Sequence, residues 1–182
     1  MYKIAVYSAI DKRYLPLYLD MMEGILDYGN VKHLVDFHLF TNNVTYEDIA
    51  ELGVAVNIHA CEDEYFTTDH DNKPFQNCMI KIDALPKIKA LGYSQALYLD
   101  ADIHIQDDIS ELARPLLDVD LLATLEFPFL KEYQPLTTHR KKVADSLQIN
   151  PVFFNSGVMV INLDTFDKYV NAEGLTNTLT SY

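Results

Sequence analysis

The segment Gln95–Leu99 is uncharged and mostly apolar, and Asp100 and Asp102 follow it directly with only Ala101 between them. Its length and composition predict a buried strand. An unpaired buried carboxylate costs several kcal/mol, so two acids at the end of such a strand require compensating charge. Hard oxygen ligands at this spacing suit Mg²⁺ or Mn²⁺, and open α/β sheets bind ligands at the carboxyl ends of their strands.

Spacing alone does not establish a metal site, because Asp-x-Asp triplets occur at 69–71, 100–102 and 118–120. The first triplet lies in a polar stretch that is typical of a solvated loop. The third precedes an apolar run, which favours turn or strand-entry residues. Only the second follows a predicted strand, and turn or capping acids are the alternative for it.

Composition narrows the classes of partner. A chain of 182 residues is long enough for one domain with a real core, which we place at residues 1–182. The net charge of −13 argues against nucleic acid and against anionic lipid as partners.

Cys61 and Cys78 are expected to be reduced thiols. Since no apolar run approaches 20 residues, we expect a cytoplasmic protein without a transmembrane segment.

The first half of the chain alternates predicted strands and helices. Strands are predicted at Lys3–Ser8, Val35–Phe40 and Val54–Ala60. A helix is predicted at Leu15–Tyr28, and a shorter one at Tyr46–Leu52 with Thr45 as its N-cap and Gly53 at its end. The polar stretch Glu62–Asn77 predicts a long loop, which in a compact domain is often functional.

The second half continues the same alternation. A helix is predicted at Cys78–Leu91, where Pro86 favours a kink or a break. Further segments are predicted as a short strand at Ile103–Ile105, a turn into a helical segment at Asp107–Leu112, and strands at Leu121–Phe127 and Val152–Leu163. Alternation of this kind indicates a three-layer α/β domain.

Two polar features of the second half each allow two interpretations. The basic run His139–Lys142 is either the solvated face of a helix ending near Gln148 or a contact for an anionic substrate. Asn155, Ser156 and Gly157 interrupt the last apolar run. Either they form a bulge, or Asn155 hydrogen-bonds a polyhydroxyl ligand.

Two motifs, YLDADIHIQDDISEL and, some fifty residues later, FFNSGVMVINL, resemble those of the family 8 glycosyltransferases. The resemblance extends from Lys3 to about Phe166. It implies a GT-A type α/β/α domain with a mixed, mainly parallel central sheet. It also implies transfer of a hexose from a nucleotide sugar, usually a UDP-sugar, with Mn²⁺ (or Mg²⁺) and with retention of anomeric configuration.

The resemblance also implies roles for particular residues. Asp100 and Asp102, with Ala101 between them, match the acids that hold the metal against the donor diphosphate. Asp102 would be the closer ligand, and Asp100 would reach either the metal or the ribose. Lys81 matches a basic residue that contacts the donor. Asn155 and Ser156 match the segment facing the transferred sugar, which makes them the candidate catalytic residues. The loop after the first strand matches the segment that holds uracil and ribose, with Tyr14 against the base; its predicted binding residues are Ser8, Ala9, Ile10, Asp11 and Tyr14.

The sequence departs from the family pattern in one respect. An Asp-Gln segment and a His-containing motif that the family carries beyond the Asn155 strand do not occur before Tyr182. The alternative function is therefore a truncated or degenerate transferase domain that binds a sugar nucleotide, or serves as a scaffold, without catalysis. A phosphotransferase of the haloacid dehalogenase type is disfavoured because His104 stands where that class has Thr or Val. A glycan, a lipid-linked sugar and a protein all remain open as acceptors, and the sequence does not define an oligomeric state.

Overall fold

The structure is a computed structural model and describes residues 4–28, 30–66, 76–115, 119–125 and 154–166. The strands are β1 (Ile4–Ala9), β2 (Val35–Thr41), β3 (Val56–Ala60), β4 (Gln95–Leu99), β5 (Leu121–Leu125) and β6 (Phe154–Asn162). The α-helices are α1 (Leu15–Tyr28), α2 (Gln76–Ala90) and the short α3 (Leu163–Phe166). Short 3₁₀ helices lie at Asn30–His33, Glu47–Leu52, Asp63–Phe66 and Ile109–Ala113.

The six strands form one mixed sheet in the order β3-β2-β1-β4-β6-β5. Strands β1, β2, β3 and β4 pair in parallel, and β6 pairs antiparallel with both β4 and β5. The predicted mixed, mainly parallel sheet is therefore confirmed. The strand order reverses at β1, because the chain first adds β2 and β3 on one side and then β4 on the other. A crevice opens at the carboxyl ends of strands at such a reversal.

Apolar side chains fill both faces of the sheet, which gives the predicted three layers. One cluster joins α1 to the sheet, and the other joins α2 to the opposite face. Every residue of β4 is buried. This explains why β4 lacks the alternation of a half-exposed strand. Within the described residues, no helix is both long and apolar enough to cross a membrane.

Two local predictions are wrong for identifiable reasons. Ile103–Ile105 joins no strand; the segment packs on α1, where a Cβ on Gly24 would lie 3.0 Å from the Cβ of Ile105. Thr45 does not cap a helix, because its backbone N–H and its hydroxyl both donate to Asp48 instead. The segment that follows is a 3₁₀ turn, and Gly53 ends it with φ of 63°, as predicted.

Three other predictions are resolved by the described residues. Helix α2 continues through Pro86 without a break. The register between β5 and β6 shifts between Ala123 and Thr124, so the predicted bulge at the Asn155 segment is confirmed. The 3₁₀ turn at Ile109–Ala113 confirms a turn into a helical segment, and the Asp108 side chain accepts a hydrogen bond from the backbone N–H of Ser110 at its start.

Several predicted features lie outside the described residues. These are the acid pair Asp69 and Asp71, most of the Glu62–Asn77 loop, the basic run His139–Lys142 with its helix, Asp118, and the ends of the strands predicted to reach Phe127 and to begin at Val152.

A stacked histidine pair lies beneath α2. Nδ1 of His38 is 2.9 Å from Nε2 of His59, and the two rings are almost parallel. His38 is 2% exposed, and Tyr93 packs edge-on against it. Burial, with His59 adding to the effect, lowers the pKa of His38 to about 4, and the charge of Asp36 opposes this only in part. Burial also lowers the pKa of His59. Both rings are therefore neutral in the folded protein at neutral pH.

Acid should destabilise the fold through His38. As pH falls below the ordinary histidine pKa of 6.5, the unfolded chain takes up a proton that the folded state resists until about pH 4. Stability that is complete above pH 6.5 is therefore lost as the pH falls. We expect a loss of about 2–3 kcal/mol between about pH 7 and about pH 4.5, measured by urea unfolding.

His38→Leu should remove most of this pH-dependent loss. His33→Leu is the matched control, because it makes the same substitution at an exposed position outside the histidine pair. Parallel stability curves for the two variants would contradict the assignment.

Candidate functional site

The carboxyl ends of β1 and β4 are held side by side. Tyr7 and Tyr98 are register partners in the two parallel strands. One step further along, the Ser8 hydroxyl donates to the Leu99 carbonyl at 2.8 Å. Ser8 is buried, so it lies beneath the crevice and joins the two strands there. The loops that leave β1 and β4 consequently start next to each other.

These two loops, together with α2, enclose a cleft of about 240 Å³. All the predicted donor-binding residues except Ser8 line it, although they come from three separate segments of the chain. The lining residues are Ala9, Ile10, Asp11, Arg13, Tyr14, Phe66, Lys81, Tyr98, Asp100, Ala101 and Asp102. Three carboxylates and two cationic side chains therefore share one small volume.

One of the carboxylates, Asp11, is locked by Arg13. The Asp11 side chain is nearly buried and accepts hydrogen bonds from the backbone N–H and from Nε of Arg13, both at 2.8 Å. Nη2 of Arg13 makes an ion pair with the same carboxylate and donates to the Phe66 carbonyl at 3.1 Å. The hydrogen bond and the charge of Asp11 raise the pKa of Arg13 above its ordinary value. Arg13 thus joins the loop after β1 to the segment after β3.

A second carboxylate, Asp100, is held by two neighbours. Nζ of Lys81, from α2, lies 2.9 Å from each oxygen of the Asp100 carboxylate. The Tyr98 hydroxyl donates to Oδ1 of Asp100 at 2.5 Å. Lys81 also reaches Ser156 on β6, with Nζ 3.3 Å from the hydroxyl and 3.4 Å from the carbonyl oxygen. The compensating charge that the sequence required beside Asp100 is therefore Lys81.

The third carboxylate, Asp102, is exposed and makes no hydrogen bond or ion pair with any described residue. Asp100 and Asp102 together offer hard oxygen donors at the wall of one cleft, which fits a divalent cation such as Mn²⁺ or Mg²⁺. Among the described residues, no group of three or more His, Cys, Asp or Glu side chains is placed to hold a metal ion. The described residues would therefore supply two carboxylates to such a cation.

The predicted sugar-facing residues lie beside the acid pair, on the bulge of β6. The Gly157 carbonyl accepts from the Asp100 backbone N–H at 2.8 Å. The Asn155 side-chain oxygen accepts from the Gly157 backbone N–H at 2.7 Å. Asn155 and Ser156 are both exposed at this point. The bulge therefore leaves the Ser156 hydroxyl beside Lys81 and the Asn155 side chain exposed.

Sequence reasoning placed Arg13 in the loop Ser8–Tyr14 without giving it a role, and it did not single out Phe66 or Tyr98; all three line the cleft. Tyr98 had a usable signal, because residues two apart in a strand share a face and Tyr98 stands two before Asp100. Arg13 stands two after Asp11 in a loop, a spacing at which a charged pair can close. Phe66 had none, since it contributes its backbone carbonyl to Arg13.

The fold and the position of the cleft define the class of protein. The mixed sheet with helices on both faces matches solved glycosyltransferases of GT-A type. The sequence model of the family described as "Glycosyl transferase family 8" matches residues 5–181 of the chain. The chain therefore belongs to glycosyl transferase family 8. A comparison with curated proteins finds no match.

Three solved structures illustrate the likeness. WbbM, a bifunctional glycosyltransferase, aligns with a TM-score of 0.63 and 15% identity over 92% of this chain and 33% of its own. The galactosyltransferase LgtC, solved with donor and acceptor sugar analogs, aligns with a TM-score of 0.60 and 16% identity over 90% of this chain and 59% of its own. Core-mannan synthase A from Aspergillus fumigatus, in a Mn/GDP form, aligns with a TM-score of 0.61 and 14% identity over 91% of this chain and 61% of its own. The chain thus spans between a third and about three fifths of these proteins.

Gly157 should be required for the arrangement of the site. A Cβ at this position would lie 2.9 Å from the Asn155 side-chain oxygen and 3.3 Å from Oδ2 of Asp100. Gly157→Ala must therefore displace one or both side-chain ends, and we expect a destabilisation of about 1 kcal/mol or less in urea unfolding, together with weaker binding of UDP, the nucleotide that the family resemblance implies.

Gly53→Ala is the control for this variant. A Cβ on Gly53 meets nothing within 4 Å, but the φ of 63° strains an alanine, so stability should fall without a change in UDP affinity. Equal UDP affinity in Gly157→Ala and the native chain would show that the bulge does not shape the cleft.

Proposed function

We propose that this protein transfers a hexose from a UDP-sugar to an acceptor with retention of anomeric configuration, using Mn²⁺ or Mg²⁺ bound by Asp100 and Asp102. The observation that carries the proposal is the convergence of three distant segments on one cleft. The loop after β1, Lys81 of α2 and the acid pair after β4 all line it. A nucleoside, a diphosphate and a divalent cation need such contacts within one short span.

The donor would lie across the carboxyl ends of β1 and β4. In this arrangement the uracil and ribose contact the loop Ser8–Tyr14. Tyr14 is 51% exposed and lines the cleft, so its ring has a free surface for stacking against a base. The diphosphate lies near Lys81 and the acid pair, and the hexose extends toward Asn155 and Ser156 on the bulge.

The chemistry places demands on charge. Cleavage of a sugar–diphosphate bond leaves negative charge on the β-phosphate oxygen, and a bound divalent cation would supply a Lewis acid there. Lys81 adds a second positive charge at the same point, since its ammonium is already beside Asp100. Asn155 and Ser156 offer hydrogen-bonding groups that orient the sugar hydroxyls. The acceptor is a glycan, a lipid-linked sugar or a protein.

Two of the structures with the same fold were solved with ligands of the proposed type. LgtC was solved with donor and acceptor sugar analogs, and core-mannan synthase A with Mn and GDP. Both share the GT-A sheet with this chain at 14–16% identity, a level at which the likeness concerns the fold. The ligands proposed here therefore depend on the residues of the cleft.

The metal-ligand set also favours a second candidate, a sugar-nucleotide-binding domain without catalysis. The described residues provide two carboxylates and no third side chain placed for a metal. Calorimetry with UDP-sugar and Mn²⁺ tests for binding, and NMR of the sugar anomeric proton tests for hydrolysis and transfer. Binding without turnover would favour the second candidate, and transfer with an unchanged anomer would establish the first.

Asp102→Asn should abolish the Mn²⁺-dependent part of UDP binding, because it removes the carboxylate that has no partner among the described residues. The fold should be unaffected, since Asp102 is exposed. Titration calorimetry of UDP with and without Mn²⁺ measures the effect. Asp27→Asn is the matched control, as it makes the same charge change at an exposed site about 18 Å along α1 from Leu15. Unchanged Mn²⁺ dependence in Asp102→Asn would refute the metal assignment.

Lys81→Ala should weaken UDP binding by about 1–3 kcal/mol, the usual scale for loss of a hydrogen bond to a charged group. It should not weaken the binding of Mn²⁺ alone, because Asp100 loses a competing cation. Calorimetry with each ligand separates the two effects. Lys87→Ala is the matched control on the same helix, since Lys87 lies over Phe40, away from the cleft lining. Equal UDP affinities for the two variants would exclude Lys81 from the donor site.

A further inference from the structure

Tyr98 connects the hydrophobic core to the charged end of the cleft. Its side chain is 2% exposed, yet its hydroxyl donates to Oδ1 of Asp100 at 2.5 Å. The two residues stand two apart at the end of β4, so their side chains leave the same face of the strand. A buried, rigid ring therefore presents its only polar atom to the carboxylate.

The ring of Tyr98 also contacts Lys81. Nζ of Lys81 lies 4.8 Å from the centre of the Tyr98 ring, in the range of a cation–π contact. The same ammonium is 2.9 Å from the Asp100 carboxylate. Tyr98 thus contacts the carboxylate of Asp100 through its hydroxyl and the ammonium of Lys81 through the face of its ring.

A second tyrosine fixes the position of the first. The rings of Tyr7 and Tyr98 pack edge-on with centres 5.0 Å apart. The Tyr7 hydroxyl donates to the backbone carbonyl of Lys81 at 2.5 Å. Because Tyr7 is fully buried, this pair ties the backbone of α2 at Lys81 to the face of the sheet. Rotation of the Tyr98 ring would therefore disturb its packing on Tyr7 and the hydrogen bond from Tyr7 to Lys81.

We propose that Tyr98 is a positioning residue for the donor site, holding Asp100 in the orientation in which it binds the divalent cation. This inference rests on the proposed function, since it assigns how the chain prepares one of the two metal ligands. With its hydroxyl on Oδ1, Tyr98 fixes the plane of the carboxylate before any ligand arrives. A divalent cation at this site would be held by the Asp100 carboxylate, whose charge Lys81 balances in this structure.

If a cation were bound at Asp100, the Lys81 ammonium would still have other contacts at the cleft wall. It already contacts the Ser156 hydroxyl and carbonyl, and it rests over the Tyr98 ring. These contacts hold it at the cleft wall, where it faces the proposed diphosphate. The Tyr98 ring therefore supports Lys81 in both situations, while the Tyr98 hydroxyl acts on Asp100.

Tyr98→Phe tests the hydroxyl alone, because the ring, its packing on Tyr7 and its contact with Lys81 are kept. We expect Mn²⁺ to bind about tenfold more weakly in the presence of UDP, the scale found when a group that orients a metal ligand is lost. UDP affinity measured without metal should be unchanged. Electron paramagnetic resonance of free Mn²⁺ and calorimetry of UDP provide these two readouts.

Tyr93→Phe is the matched control. The Tyr93 hydroxyl donates to Asp36 at 2.7 Å, so this variant also breaks a tyrosine–aspartate hydrogen bond, but at a residue two positions before the start of β4, away from the cleft lining. It should lose stability without a change in Mn²⁺ affinity. Equal Mn²⁺ affinities for Tyr98→Phe and the native chain would overturn the inference while leaving the proposed function intact. Absence of any Mn²⁺-dependent UDP binding in the native chain would overturn both.

Two further measurements separate positioning from a general structural effect. In an Asp100→Asn background, Tyr98→Phe should change Mn²⁺ affinity by less than about twofold, because the residue acts through Asp100. A full tenfold loss in that background would contradict the inference. In the native chain, the hydroxyl proton of Tyr98 should give a downfield NMR signal that shifts when Mg²⁺ and UDP are added together. A signal that stays in place would overturn the inference even if Tyr98→Phe does not fold.

Discussion

The ion pair between Lys81 and Asp100 is the contact on which the cleft depends. Every residue of β4 is buried, and the Asp100 side chain that follows it is only 33% exposed, so a nearby cation stabilises its negative charge. Lys81 supplies that cation from α2, which lies on one face of the sheet. The pair therefore fixes where α2 lies relative to the end of β4, and with it one wall of the cleft. Tyr98 and Tyr7 reinforce the same joint from the core.

Local pattern predicted the strands and helices well where the chain repeats a clear period, as in β2 and α1. It failed at Ile103–Ile105, where apolar and polar residues alternate as in a strand. A strand also needs a neighbour with free backbone groups, and β4 already has β1 and β6 beside it. The segment instead packs Ile105 against α1 at Gly24, a contact between residues far apart in sequence. No pattern within the segment encodes that contact.

The candidate site was predictable to the extent that its side chains carry charge. Asp100 and Asp102 stood out because a buried apolar run does not tolerate unpaired charge, whereas Lys81 was found only through the resemblance to the family. Tyr98 did not, because a tyrosine in an apolar strand is usually core, and its hydroxyl matters only in relation to Asp100. Phe66 could not have been found, since any residue supplies the carbonyl that Arg13 binds. Residues that act through ring faces or backbone atoms require the fold itself.

The charges of the cleft bear on how an acidic chain would bind an anionic donor. Arg13 is paired with Asp11 and Lys81 with Asp100, so each cation in the lining already has its carboxylate. Asp102 then leaves the described lining with one negative charge in excess. A diphosphate entering alone would meet repulsion, whereas a divalent cation bound at the acid pair would reverse the sign of the local charge. In the proposed function, metal and donor should therefore bind cooperatively, each favouring the other by the same factor.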